Sequence, residues 1–517
     1  VSVGRAARGL FRLAPTAVAL LVVWPAAAMA EPPGVIGELP APTHVHDIAA
    51  GPHGELWFAT SRSPRAVGWI APRGQVHRFN LPKGEAPVAI IAARDGKAAW
   101  FSWNRVAKGK PILGGIARVT AGGAITHFQG PPDHYFLPHE LVLGGEGDIW
   151  FNNIGISSAG ENVIGRMTPA GKFKTFGAAL TEDSWITGLA AGADGNVWFG
   201  NGKQGAVGRI TPAGTITQFE AERSSPAPYI FPPAPGPGGS VYFGVEREGI
   251  GAGIGRVDPG GSSVSLFTAG LGPAVAEIGP VTVAHGDAWF GIGRRGPAGT
   301  TASPDGGVAI GRLSPEGSIR EFSRCLRPAL MPLDPTVGPE GDVWFLSGTP
   351  FSNDYLVSGL IRITPAGQIT EFMDGIHPGY GLEDLVSAAG RLWFVDPDGG
   401  RIGELKPPRG KPNTVLVEFP YRHHETLIRV TTPGPGTVRI KETGVSVAGR
   451  DTPVPGLRTR RLRASACGPI STPLPWSGPL QSLFERQGHL RLEMTVTFTP
   501  SGGAPFSQRT GIKLVPG

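Results

Sequence analysis

GDIWFNN (147–153) followed by IGRMTPAGKFKTF (164–176) is the stretch that decides the fold. It reads as a Gly turn, a strand carrying Trp-Phe, a strand carrying Ile-Gly-Arg, a Pro-x-Gly turn and a closing strand ending in Phe. Pro presets φ for the turn and Gly accepts the left-handed position, so TPAG joins two antiparallel strands as a hairpin. The second half of the unit returns at VGRITPAGTITQF (207–219), IGRLSPEGSIREF (310–322) and IRITPAGQITEF (361–372). Its aromatic marker falls at Trp57, Trp100, Trp150, Trp198, Tyr242, Trp289, Trp344 and Trp393, with spacings of 43 to 55 residues. That period accommodates four strands of about five residues with short connections.

Four antiparallel strands per unit, repeated radially, make a β-propeller. Helical periodicity, which a leucine-rich or ankyrin solenoid requires, is absent from the unit. The expected class is all-β: an eight-bladed propeller, with seven blades as the alternative, over residues 34–408. GVIGELP (34–40) resembles the unit's fourth strand but precedes the first complete unit, so it is expected to complete the last blade; TVLVEFP (414–420) competes for that place. After Lys411 the repeat stops. HLRLEMTVTF (489–498) alternates with period two, and an immunoglobulin-like sandwich over 413–517, with a short helix at 479–487, is the expectation there.

The chain has 517 residues, with 79 Gly and 52 Pro placed at the turns of the repeat, and a formal charge of +6. Arg5, Arg8 and Arg12, an apolar run from Leu13 to Trp24, and Ala28-Met29-Ala30 form a secretory signal pattern over 1–30. A membrane anchor is the alternative, for which the apolar run is short. Removing the signal leaves +3, of which residues 412–517 hold 13 Lys and Arg against 6 Asp and Glu. A secreted or cell-surface monomer is expected, binding a small molecule, peptide or glycan, with no nucleic-acid partner. The basic tail domain, with Arg458, Arg460, Arg461 and Arg463, is a candidate for contact with an anionic cell-surface polymer. Cys325 and Cys467 are the only cysteines and show no metal-ligand spacing. In an exported chain they are candidates for a disulfide between the two domains.

In a propeller the innermost strands start at one face around the central channel, and that face is the default site. Positions ten and eleven before each marker form a ring of His46, Asp47, His139, Glu140, Asp334 and Glu383. Asp334, Glu383, His46 and Asp47 are expected to approach one another where the ring closes. Asn153, Asn201 and Asp396 lie where Trp-Phe strands end, on the same face. Carboxylates and imidazoles around one channel suit a hard divalent ion or a general base. His46, His139 and Glu383 are the catalytic candidates, Asp396 and Glu383 the metal candidates, and Asp47, Glu140, Asn153, Asn201 and Asp334 the ligand-binding ones.

With the repeat in view, GDIWFNN, IGRMTPAG and KFKTF resemble the streptogramin B lyase family, also called virginiamycin B lyase. The resemblance implies a Mg2+-assisted carbon–oxygen lyase that linearises a cyclic depsipeptide by elimination. That chemistry needs a base near the acidic Cα–H and a cation for the developing enolate. The family's Trp-Phe-Thr-Glu does not occur here, and its Glu-Pro-His is replaced by Gly381-Leu382-Glu383. A family histidine corresponds to Leu333, a tyrosine to His46, and a metal-binding glutamate falls near Asp396. Binding without lyase chemistry is therefore expected, with a metal-assisted lyase and a cell-surface scaffold as alternatives. The signal pattern makes its own prediction: N-terminal sequencing of secreted protein should begin at Glu31, and a secreted form beginning at Val1 would overturn it.

Overall fold

The computed structural model describes residues 36–514 apart from internal stretches, the longest being 106–112, 131–135, 154–162, 295–306, 349–358, 373–381, 408–414 and 452–458. The signal pattern, both cysteines and most of the long loops lie outside the described residues. Among those described, the repeat folds into eight antiparallel sheets. Sheet 1 runs in order through Val45–Ala50, Leu56–Thr60, Ala66–Ile70 and Val76–Asn80. Sheets 2, 3, 4, 6 and 7 repeat it with innermost strands Glu85–Ala92, Pro138–Leu143, Ile186–Ala191, Val275–Ala284 and Met331–Val337. In sheet 5 the innermost strand is split into Tyr229–Ile230 and Ala234–Pro235. Sheet 8 begins at Glu383–Ala388, and its fourth strand is Ile36–Pro40, which pairs antiparallel with Arg401–Leu405. The N-terminal segment therefore closes the ring, while Leu416–Glu418 pairs with Glu425–Thr432 beyond the propeller.

The apolar core is not one mass but a series of layers between neighbouring sheets. One cluster joins Trp57 and Phe79 of sheet 1 to Ile90 and Phe101 of sheet 2. The equivalent cluster at the seam joins Val45 and Phe58 to Trp393 and Val395, so sheets 8 and 1 pack as sequential neighbours do. The β-propeller follows from these layers and from the order of the strands.

The repeated motif has a physical reason at each position. Trp150 and Arg166 are cross-strand partners, and the guanidinium lies 5.6 Å from the indole centroid. The same pairing joins Trp198 to Arg209, Trp289 to Arg312 and Trp344 to Arg362. Such a cation–π contact contributes about 0.5–1 kcal/mol at an exposed site and more when desolvated. The arginine then reaches the next sheet: Arg166 Nη1 donates to the Pro212 carbonyl at 2.6 Å, and Arg312 Nη1 to that of Pro365 at 3.1 Å. The glycine before it lies opposite the marker phenylalanine, Gly165 facing Phe151, and a Cβ there would stand 2.0 Å from the ring. In the TPAG turn, Gly171 has φ +82°, and a Cβ would meet the closing Phe128 of the preceding sheet at 2.1 Å. Two turn histidines staple sheets at the same end, His53 to the Asp95 carbonyl (3.3 Å) and His285 to that of Gly341 (2.9 Å).

Beyond the propeller, two further sheets and the helix Gly478–Gln487 enclose a separate apolar core. Leu490, Leu492, Met494, Val496 and Phe498 all point into it, as the alternation of the sequence implies. Arg460 and Arg461 part company on their strand: Arg460 Nη1 donates to Thr472 Oγ1 at 2.7 Å, tying the two sheets, while Arg461 is exposed.

The Phe–Gly apposition carries a prediction. Gly165→Ala should cost about 1–3 kcal/mol by overpacking, read as a lower Tm. Gly122→Ala, whose Cβ would find nothing nearer than Thr120 Oγ1 at 3.9 Å, should change stability little. Equal effects of the two would remove this reading of the motif.

Candidate functional site

The innermost strands share an irregularity that exposes the site residues. The ladder slips between Val45 and Asp47, Pro138 and Glu140, Ile186 and Gly188, Leu333 and Thr336, and Glu383 and Leu385. A β-bulge leaves one residue or more unpaired and bends the strand, a common way to re-aim side chains at a site. In sheets 1, 3, 7 and 8 the released positions include His46, His139, Asp334 and Asp384. Asp334 and Asp384 take φ +44° and +46°, the left-handed region that aspartate tolerates better than most residues. Backbone strain of this kind clusters at binding and active sites, which makes these two acids candidates for one.

Closure of the ring brings sheets 7, 8 and 1 side by side, and their carboxylates meet. Asp47 Oδ2 accepts the Ile90 amide at 2.6 Å. Burial first, and then the neighbouring negative charge of Asp384, hold the Asp47 carboxyl well above the usual range. The two carboxyls adjoin, and their interaction raises Asp47 while it lowers Asp384. Asp384 is pushed up to about 6, by burial and by repulsion from Asp334 and Glu383, against the pull of the Asp47 hydrogen bond. Asp334 opens onto the channel yet is walled by protein, and that low-dielectric surround raises its carboxyl as well. Glu383 is exposed beside them. The expected convergence of acids is present, with Asp384 added as its centre.

The imidazoles take different parts. His46 Nε2 lies 3.0 Å from the Val88 carbonyl, and burial lowers the ring's pKa, with the Val88 and Ala59 carbonyls offsetting part of the effect. A neutral His46 therefore donates into the next sheet's bulge. His139 is open to solvent, and desolvation by its surroundings lowers its pKa too. Glu140 repeats the Asp47 device: its Oε2 accepts the Leu189 amide of sheet 4 at 3.1 Å, and burial pushes its carboxyl up to about 7.

The amides and Asp396 sit deeper. Asn153 Oδ1 accepts the Leu137 amide at 2.6 Å, and Asn201 Oδ1 accepts that of Trp185 at 3.2 Å. Asn201 also donates to Ser184, Gln204 and Gln218. Both asparagines thus fasten the segment leading into their own innermost strand. Asp396 is buried, at 3% exposure, opposite Arg401. Leu333 packs against the apolar layer between sheets 7 and 8. Hard oxygen donors such as these acids suit magnesium in kind, but not in placement. The Asp47 carboxylate is spent on Ile90 and Asp384, and among the described residues no three His, Cys, Asp or Glu groups are gathered to hold a metal ion.

Two features escaped the sequence reading. Asp384 falls one place outside the ring positions; the Glu383-Asp384 pair was the only signal, and a bulge selects between them. The other is aromatic. Trp185, 53% exposed, meets Tyr229 edge-on at 6.2 Å, and Tyr229 meets Phe231 at 5.0 Å, across the ring from the acids. Its signal was a tryptophan outside the Trp-Phe marker.

The molecule is thus a β-propeller with an acidic channel rim at its seam. Residues 113–301 match the model of the virginiamycin B lyase family, and the chain is a virginiamycin B lyase-like propeller. Virginiamycin B lyase from Staphylococcus aureus is 22% identical, covering 71% of this chain and 98% of that one, with a TM-score of 0.42. YCF48 from Cyanidioschyzon merolae is 13% identical over 72% and 98% of the two chains, with a TM-score of 0.40. A puromycin hydrolase is 16% identical over 62% and 59%, also at 0.40. No curated protein matches the sequence. Among the described residues, no helix is long and apolar enough to cross a membrane.

Glu140 yields a pH prediction. Its folded pKa, about 7, lies above the usual 4.5, so the folded state holds this proton more tightly. The associated stability is full below about pH 4.5 and is lost as pH rises through about 7, on the order of 3 kcal/mol. Glu140→Gln keeps an acceptor for Leu189 and should flatten the fall in Tm between pH 5 and pH 8. A fall as steep as that of the unaltered protein would show that Glu140 does not hold the proton.

Proposed function

We propose that this protein is an exported binding propeller. It takes a small molecule or peptide bearing a cationic group at the channel rim and does not perform the lyase reaction of its relatives. The observation that carries this reading is the gathering of Asp334, Asp384 and Asp47 at the irregular starts of three consecutive innermost strands, where burial raises all three carboxyls and the Asp384 charge raises Asp47 further. A site that must hold protons to limit its own repulsion gains most from a cation that replaces them. Trp185 and its aromatic neighbours offer the far part of such a ligand a flat apolar or sugar-stacking face. For the eliminated chemistry, the position that resembles the family's histidine is Leu333, which packs in an apolar layer and holds no proton.

Binding should follow ionisation of the acids. Calorimetry with spermidine or a short lysine-rich peptide is expected to give affinity at least tenfold higher near pH 7.5 than near pH 5. Asp384→Asn should lose most of that difference. Affinity independent of pH, or unchanged in Asp384→Asn, would remove the cation site. Incubation with a streptogramin B and Mg2+ should leave the cyclic antibiotic intact by mass spectrometry, and turnover at enzyme-like rates would replace this reading with the lyase.

A further inference from the structure

We propose that the exposed face of the larger C-terminal sheet binds an extended anionic polysaccharide. This sheet contains Gly436–Val447, Thr459–Ala464, Leu490–Pro500 and Phe506–Leu514. Along Gly436–Val447 the side chains alternate strictly at first: Val438 and Ile440 are buried, while Thr437, Arg439 and Lys441 are exposed. The ladder sets Arg439 directly opposite Arg461, Thr437 opposite Arg463, and Lys441 opposite Thr459. Two strands further, Arg509 is exposed opposite Thr495. Five cations therefore share one face, with Arg491 beside Glu493 as a sixth.

Like charges directly opposite on a sheet destabilise it. Among the described residues, the acids of these strands do not offset that repulsion: Glu442 is buried on the other side, and the exposed Glu493 is engaged by Arg491 at 3.4 Å. Among the described residues, no ion pair is made by Arg439, Lys441, Arg461, Arg463 or Arg509. An external polyanion would relieve the repulsion. Neighbouring strands are about 4.8 Å apart and alternate residues about 6.7 Å, so the cations form a grid on the scale of one charge per sugar. Thr437, Thr459, Thr495 and Thr497 place hydroxyls between them, suited to sugar hydroxyls and carboxylates. The exposed large hydrophobics among the described residues are Leu113 and Trp185, both in the propeller, so this face has no aromatic platform for nucleic-acid bases. The Arg458, Arg460, Arg461 and Arg463 run is one cluster in sequence only, since Arg460 is turned toward Thr472.

The test uses the full chain and polygalacturonate oligomers as probe, with double-stranded DNA and neutral dextran for comparison. Binding is expected to polygalacturonate at about 50 mM salt, to weaken steeply by about 200 mM, and to be absent with dextran. Arg439→Gln/Arg461→Gln/Arg463→Gln should reduce affinity at least tenfold while Tm stays level or rises, because repulsion is relieved. Lys172→Gln, on a propeller turn, should bind as the unaltered protein does. Unchanged affinity in the triple variant, an equal loss in Lys172→Gln, or tighter binding to DNA than to polygalacturonate would each overturn the proposal.

Discussion

Sheets 2, 3, 4, 6 and 7 of this propeller are each held by the way the turn sits on the sheet before it. The glycine of the turn accepts a left-handed backbone and leaves room for the preceding sheet's closing phenylalanine, as Gly171 does for Phe128 and Gly214 for Phe176. The arginine below that phenylalanine covers the marker indole and donates to the turn's proline carbonyl. One contact thus satisfies a charge, buries two aromatic rings and fixes the rotation from sheet to sheet. Since apolar burial is non-directional, it is this polar and steric register that makes neighbours stack at one angle instead of sliding.

The seam is where the repeat breaks its own rule. Sheet 1 carries Trp69 in place of the arginine, opposite Trp57, and its indole donates to the Ala121 carbonyl of sheet 2. Sheet 8 carries Glu404 opposite Trp393, in an ion pair with Arg391. Closure there depends on the Ile36–Pro40 strand and on the Val45–Trp393 layer. The acids of the channel rim gather at this same seam. Asp334, Asp384 and Asp47 belong to three consecutive innermost strands, two of which are far apart in sequence from the third. Their repulsion is borne by a scaffold fixed elsewhere, which is how strained and like-charged groups persist in folded proteins.

Departure from the lyase pattern is therefore structural as well as local in sequence. Where the relatives' motif implies a histidine, Leu333 completes an apolar layer. Where it implies a carboxylate ligand for a cation, Asp396 is buried opposite Arg401. The proposed cation binding rests on the crowding of buried carboxyls at the rim. The C-terminal sheet presents the opposite sign on its open face, giving the chain two chemically distinct surfaces.

The sequence by itself determined the architecture, because the marker aromatics, Ile-Gly-Arg and TPAG are local signals that repeat, and each position has one steric role. It also determined the inward face of the C-terminal strand 489–498, since period-two alternation admits only two assignments. Tertiary structure decided what a repeat cannot encode. Bulges shift side chains by one place, so Asp384 rather than Glu383 became the centre of the acid group. Cross-strand register separated Arg460 from Arg461 and set Arg439 against Arg461. Asn153 and Asn201, which face the channel end by position, were drawn into backbone hydrogen bonds because a buried amide must be satisfied. Which polar groups stay free for a ligand is settled by such competition between neighbours that are distant in sequence.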